Sequence, residues 1–310
     1  MLQNCRFANI NHAMPPPVTR FASHRAFLLV ALAASAVSPF ANAIDLQPGE
    51  VTAPRPNFQF LLFSQVYSDR GDRHVDGKRQ DGNPEITSSQ TLVRYGRSFD
   101  LAGLQALAYV QSGVGKLRPG RDLAAQTGDS GFSDTSLALA LWPYTDKEKE
   151  RYLGIAGYLV LPTGDYRHQQ LLNMGENRYR TALQFGYQTK LIKQLHGMAA
   201  FDAVWSGDND EFGPAKATLE QTTLYTAQAA LFYRLDGGYT LGASYFYTYG
   251  GETRVNGVDR NDRASLHRWQ LTASRLFPFG RLSVQYGEDL KTANGFKEDR
   301  RWTARYLLPF

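Results

Sequence analysis

From residue 57 to the C-terminus the chain repeats one pattern: segments of about ten residues with period-two hydrophobicity, joined by connections that alternate between long and short. Tyr179, Thr181, Leu183, Phe185 and Tyr187 alternate with Arg180, Ala182, Gln184, Gly186 and Gln188, and Trp302, Ala304, Tyr306, Leu308 and Phe310 alternate with Thr303 and Arg305. One face is apolar and the other small or polar. Twelve strands are expected, at 57–67, 87–97, 103–112, 132–142, 151–161, 177–189, 195–206, 221–234, 239–249, 265–277, 281–289 and 301–310. The connections 68–86, 113–131, 162–176, 207–220, 250–264 and 290–300 are long and polar; 98–102, 143–150, 190–194, 235–238 and 278–280 are short. A soluble sandwich has no reason to alternate its connections in this way. A transmembrane antiparallel up-and-down β-barrel does, with short periplasmic turns, long outer loops and an even strand count. The expected fold class is therefore all-β.

Aromatic spacing agrees. Tyr179 and Tyr187, Tyr225 and Tyr233, Trp269 and Phe277, and Trp302 and Phe310 stand eight residues apart on the apolar face. Eight residues cover roughly 27 Å of strand, or about 20 Å of height at a tilt near 40°, close to the separation of two girdles around a ~25 Å apolar band. These eight residues are expected to form the membrane girdle. In lipid an unpaired backbone group costs several kcal/mol, so the sheet must close and the last strand must pair with the first. Pro309 lacks an amide hydrogen, which is tolerable only at a strand end. A terminal aromatic strand ending at Phe310 also suits recognition by the barrel-assembly machinery of the outer membrane.

The first 43 residues read as a cleaved secretory signal peptide. Arg20 and Arg25 precede a 12-residue apolar run, Ala26 to Val37, followed by Pro39 and Ala41-Asn42-Ala43. Twelve residues make about 18 Å of helix, too short to cross a bilayer. Its loss removes Arg6, Arg20 and Arg25 and no acid, so the net charge falls from +5 to +2. The basic balance is thus poor support for nucleic-acid binding, which needs clustered basic surface. The only cysteine, Cys5, leaves with it, so the exported chain has no disulfide. Residues 44–56, with Pro48, Pro54 and Pro56, cannot easily join a sheet and are expected to form a periplasmic lead-in to the barrel at 57–310.

Chemical motifs are sparse. Gly128-Asp129-Ser130-Gly131 resembles a serine-protease nucleophile loop but lacks an evident base and orienting acid, and reads as turn chemistry. The run from Asp208 to Gly213 begins like a calcium loop, yet Phe212 occupies a position that requires an oxygen ligand. His196 and Asp202 share the polar face of the seventh strand. Ser265 and His267 share a face with Trp269 and Leu271, which favours a girdle histidine over a lipid hydrolase. No H-E-x-x-H, P-loop or G-x-G-x-x-G unit occurs, so no metal or cofactor is expected.

The polar face would line a lumen. Parity places Gln59, Arg94, Arg180, Gln184, Asp202, Gln228, Arg234, Gln270, Gln285 and Arg305 inward. Phe63, Phe232 and Phe246 fall on the same nominal parity, whereas Phe60 does not. Rows of Arg and Gln suit either a path for solute or a salt-bridged filling. Twelve strands lie between side-chain-filled barrels of eight and wide porins of sixteen or more, so any pore should be narrow.

Gly131-Phe-Ser-Asp134, the alternating Leu137 to Leu141, and Tyr158-Leu-Val-Leu-Pro162-Thr-Gly164-Asp165, followed by a strand from Gly175 to Gly186, resemble the outer-membrane family described as "putative MetA-pathway of phenol degradation". The resemblance implies an outer-membrane channel for passive passage of a small, aromatic or hydrophobic solute. Two other readings compete with it: a lipid-modifying hydrolase built on Ser265 and His267, and a structural or surface-recognition barrel acting through its outer loops. The expected partners are outer-membrane lipids and lipopolysaccharide, the assembly machinery and a small solute, in the bacterial outer membrane, with no nucleic acid.

Overall fold

Strands with one apolar and one polar face need lipid on one side and a wet or polar interior on the other, and twelve long antiparallel strands provide this. The computed structural model describes residues 44–310, so the signal peptide expected at 1–43 lies outside the described residues. The barrel strands are β1 (Gln59–Val75), β2 (Pro84–Leu101), β3 (Leu104–Arg121), β4 (Thr135–Asp146), β5 (Arg151–Leu161), β6 (Arg180–Ile192), β7 (Leu195–Ser206), β8 (Leu224–Arg234), β9 (Tyr239–Gly250), β10 (Ala264–Phe277), β11 (Gly280–Thr292) and β12 (Gly295–Pro309). Each pairs with its chain neighbour, and β12 returns to β1 along a ladder from Phe60 opposite Pro309 to His74 opposite Gly295. Pro309 stands at the end of that ladder, where its missing donor costs nothing in the middle of the seam. Among the described residues no helix is long and apolar enough to cross a membrane.

The surface is inside out relative to a soluble protein. Val93, Leu139, Phe185, Leu231, Leu241 and Leu271 are exposed on the outer wall, whereas Ser64, Gln90, Gln111, Ser136, Gln184 and Gln270 are buried within. Of the expected girdle, Tyr179, Tyr187, Tyr225, Tyr233, Trp302 and Phe310 are exposed on the outer wall. Trp269 and Phe277 are half-buried against the rings of Tyr286 and Phe279.

Several expected loops are strand instead. At 17, 18 and 18 residues, β1, β2 and β3 far exceed the 9–11 residues that span a bilayer. Most of 68–86 and 113–131 thus continues the wall above the membrane, and the expected long loop at 290–300 is a hairpin turning at Ala293 and Asn294. Their polar, ungreasy sequences concealed strands because both faces there meet water or polar neighbours. The Asp129–Phe132 segment, expected as a turn, is a short strand paired to β3. Outside the barrel, Asn209–Phe212, Ala217–Gln221, Thr253–Val255 and Val258–Asp259 form a separate four-stranded sheet.

Two further expectations fail for identifiable reasons. The first is the parity of β1: Phe60 and Leu62 are buried inside, while Phe63 is exposed outside and Gln59 meets the outward Tyr95 hydroxyl at 2.9 Å. The segment Phe58 to Phe63 is apolar on both faces, so alternation alone could not set its register. Gly96 sets it. Opposite Phe60 in the ladder, a Cβ on Gly96 would lie 2.4 Å from the Phe60 ring, so this ring covers the glycine. The second is the lead-in. Residues 44–54 lie inside the barrel, with Val51 packed among Trp142, Tyr152, Met198, Ala230 and Phe232, and of the lead-in only Arg55 and Pro56 are exposed.

Replacing Gly96 with Leu should drive Phe60 from its niche and cost about 1–3 kcal/mol, as overpacking does. Urea titration of the heat-modifiable band checks this. An unchanged midpoint contradicts the β1 register.

Candidate functional site

The lumen is built in three layers. At the periplasmic end, residues 44–54 fill it. Pro48 and Pro54 have no amide to satisfy, but the carbonyls of the segment, enclosed by the wall, still need donors. Glutamines on the inner wall supply most of them. Gln184 donates to the Ile44 carbonyl at 2.9 Å, and Gln105 to that of Pro54 at 2.9 Å. Gln228 both donates to the Leu46 carbonyl (2.6 Å) and accepts from its amide (3.2 Å), imitating a strand partner. Trp142 Nε1 donates to the Val51 carbonyl at 2.8 Å, and Gln188 to the Thr52 hydroxyl at 2.7 Å. Charges add to the hold: Arg305 meets Glu50 at 3.2 Å, and Arg268 pairs with Asp45.

The middle layer is a buried ionic cluster. Glu298 accepts from Ser68, Arg70 and Arg301, while an Asp289 oxygen takes the Glu298 amide at 2.8 Å. Arg268 and Arg301 also face Asp45, so the cluster touches the tip of the inner segment. Two guanidinium groups lie over aromatic faces, Arg268 above Phe246 at 4.3 Å and Arg94 above Tyr109 at 4.1 Å.

At the outer mouth Leu123, Leu172 and Met174 from two connections meet Ile86, Leu117 and Phe296 from the wall, forming an apolar cap with Leu171 against it. Carboxylates staple this cap. Asp129 accepts the Met174 amide at 2.8 Å and pairs with Arg167 at 3.2 Å. Asp134 accepts the amides of Gly164 and Glu176, each at 2.9 Å, and Asp165 accepts that of Phe132 at 2.8 Å. The Gly131–Asp134 and Pro162–Asp165 motifs are therefore two halves of one loop clasp.

Of the residues that parity assigned inward, Arg180, Gln184, Asp202, Gln228, Gln270 and Gln285 are buried on the inner wall; Arg94, Arg234 and Arg305 also point inward and are less enclosed. Gln59 faces out. Gln184, Gln228 and Arg305 converge on residues 44–50, whereas Arg180 binds Glu176 near the outer clasp. Sequence reasoning missed Gln105, Gln188 and Trp142 as contacts to the inner segment, and Leu171, Leu172 and Met174 as a cap. A cluster of apolar residues within a polar connection was the available signal for the cap.

The other motifs resolve into structure. His267 lies on the outer wall, its Nδ1 bound to the Tyr245 hydroxyl and its ring 4.7 Å from that of Tyr247. His196 is buried at the periplasmic rim, stacked on Phe232 and bound to Glu150 at 2.9 Å. Asp210 accepts from Thr218 and Glu211 pairs with Lys216, so two acids of the calcium-like run serve a hairpin. Glu150 gathers Lys190, His196 and Arg234 around one carboxylate. Its burial pushes the carboxyl up, but hydrogen bonds from Lys190 and His196, with the charges of His196 and Arg234, outweigh that and hold it at about 2, below its ordinary 4.5.

These features define a closed, twelve-stranded membrane barrel with a filled, polar lumen. The chain belongs to the family described as "Putative MetA-pathway of phenol degradation", whose pattern matches residues 56–305. It is similar to the crystallised COG4313 outer membrane channel from Pseudomonas putida F1, with 29% identity, 86% of this chain and 100% of that chain covered, and a TM-score of 0.83. The transport unit of the autotransporter AIDA-I from Escherichia coli shares 8% identity over 91% of this chain and 97% of that one, with a TM-score of 0.49. For the CymD monoaromatic hydrocarbon channel the values are 9%, 89%, 94% and 0.45. Curated protein sequences give no match. The barrel is a bacterial outer-membrane protein.

A Cβ on Gly242 would lie 3.1 Å from Cβ of Pro48. Since Cys5 is the chain's only cysteine, a chain with Cys5→Ser and the pair Pro48→Cys and Gly242→Cys should form one intramolecular disulfide on oxidation. A mass spectrum showing two free thiols after oxidation contradicts the placement of 44–56. A carboxyl held down like Glu150 stabilises the fold above its ordinary 4.5, and that contribution disappears as pH falls through about 2. Glu150→Gln should therefore lower the thermal unfolding temperature at neutral pH and lose its effect near the lower limit.

Proposed function

We propose that the barrel is an outer-membrane channel for passive passage of a small aromatic or hydrophobic solute. The observation that carries this reading is the apolar cap of Ile86, Leu117, Leu123, Leu172, Met174 and Phe296 at the outer mouth. These side chains are packed on one another, with only Leu171 half-buried beside them, so a solute gains apolar contact, about 25 cal/mol per Å² of area buried, where the cap parts to admit it. Below the cap, Arg94 and Arg268 present flat cationic faces already stacked on rings, a geometry that an aromatic solute can share. The similar protein from Pseudomonas putida F1 is named as an outer membrane channel, and the family description refers to phenol degradation. Passive passage asks for a lined path and not for a nucleophile. His267, engaged by Tyr245 on the outer wall, belongs to the girdle in this reading.

Passage requires the inner segment to yield. It is held by individual hydrogen bonds, each worth about 0.5–1.5 kcal/mol net, with the Arg305–Glu50 and Arg268–Asp45 pairs and the packing of Val51, and not by a strand ladder. The aromatic outer wall supports contact with the surrounding lipids.

Liposomes containing the barrel should take up labelled phenol or toluene faster than empty ones, with no gain for labelled glucose. Deleting residues 45–54 should raise uptake at least severalfold and raise single-channel conductance. A barrel that leaves all three permeabilities at the level of empty liposomes contradicts the channel.

A further inference from the structure

Where β1 to β3 rise above the girdle, the outer wall carries a groove that combines hydroxyl and cationic side chains with the apolar side chain of Val114. It has a volume of about 540 Å³ and is lined by Tyr67, Thr87, Ser89, Thr91, Lys116 and Arg118, with Ser130 at its edge. These side chains face away from the lumen, because Lys116 and Ser89 pair on the ladder next to the inward pair Gly115 and Gln90. The ladder also fixes their height. Trp302 pairs with Tyr67, Tyr67 with Ser89, Ser89 with Lys116 and Lys116 with Ser130. Because the strands tilt, each step along this row also climbs. Lys116 is twelve residues from the short-turn end of β3 and Tyr67 eight from that of β1, which puts Lys116 about 10 Å above the girdle aromatics, with Arg118 one outward-facing position higher. Phosphates and sugars of the outer leaflet project to this height from acyl chains that end at the girdle.

The charge of the groove is uncompensated. Lys116 and Arg118 are exposed and have no acidic partner among the described residues. The neighbouring acids are already engaged: Asp69 by Arg300, Glu85 by Arg121 and Asp129 by Arg167. Two free cations and a row of hydroxyls, beside aromatic rings at an interface, form a recognition set for phosphate attached to something that carries hydroxyls and acyl chains. The volume exceeds what a phosphate alone would need.

We propose that this groove binds the phosphorylated head group of an outer-leaflet glycolipid of the lipid A class, with Lys116 and Arg118 on the phosphate and Thr87, Ser89 and Ser130 toward the sugar. The site lies on the outside of the wall and is independent of the solute path.

The full barrel in detergent, and its Lys116→Ala/Arg118→Ala variant, should be compared for binding of bisphosphorylated lipid A, enzymatically dephosphorylated lipid A and inorganic phosphate. Native mass spectrometry reads occupancy, and heat-modifiability verifies the fold. Both substituted side chains are solvent-facing, and Lys116→Gln/Arg118→Gln serves as a second variant that keeps polarity. The proposal expects bisphosphorylated lipid A to bind the native barrel and to bind either variant at least roughly tenfold more weakly, as loss of charge-assisted bonds implies. Liposome conductance should remain that of the native protein. Equal retention by the variants, equal binding of the dephosphorylated lipid, or inorganic phosphate binding as tightly as the lipid would each overturn it.

Discussion

A backbone amide within a bilayer has no water to turn to, and the architecture of this chain follows from that. Twelve strands satisfy one another, and the ladder between β12 and β1 removes the last free edge. The outer wall can then be apolar at no cost, because lipid is the medium, and the inner wall must be polar because something other than lipid has to fill it. Closure also explains why Pro309 falls at the end of its strand. The same residue a few positions earlier would leave a carbonyl of β1 unpaired in the seam.

The same constraint governs the interior. Residues 44–54 are buried or half-buried within the wall, and they are not a strand. Their carbonyls are met by side-chain amides, with Gln228 acting on Leu46 much as a neighbouring backbone would. A plug fastened by side chains is specific without being part of the sheet. Its contacts are separate from the ladder, so breaking them removes no hydrogen bond between strands. The tip of the segment reaches the ionic cluster through Asp45, so the inner filling and the middle layer share the charges of Arg268 and Arg301. At the other end the apolar cap is held by Asp129 and Asp134 across two connections. The lumen is thus closed at both ends by parts that are not strands, the arrangement expected of a channel that opens without unzipping.

Much of the fold was legible because the strand period is two and lipid enforces it. All twelve strands and the closing pair follow from alternation, connection length and aromatic spacing. Legibility ended where those rules stop applying. Above the membrane β1 to β3 face water on the outside, so their extensions lack an apolar face and resemble loops. In β1 both faces are apolar near Phe60, and only the glycine opposite it fixes the parity that misplaced Gln59 and Phe63. The inner segment was readable as unable to join a sheet, but not as threaded into the lumen: its partners, from Gln105 to Arg305, are scattered over two hundred residues of chain. The glutamine row on the polar face was visible, yet the same row would suit water, solute or a peptide. The clasp joining Asp134 to Gly164 was visible as a motif and obscure as a mechanism until the two connections were brought together.

The central claim is that the chain's own residues 44–54 occupy the lumen and are fastened there by side chains of the wall. Hydrogen exchange in lipid nanodiscs tests it most directly, read at the amides of Leu46, Val51 and Thr52. The account predicts exchange slowed by orders of magnitude relative to an unstructured peptide, yet faster than that of the β8 and β9 amides, since the plug is fastened without a ladder. Exchange at the rate of a free peptide would contradict it.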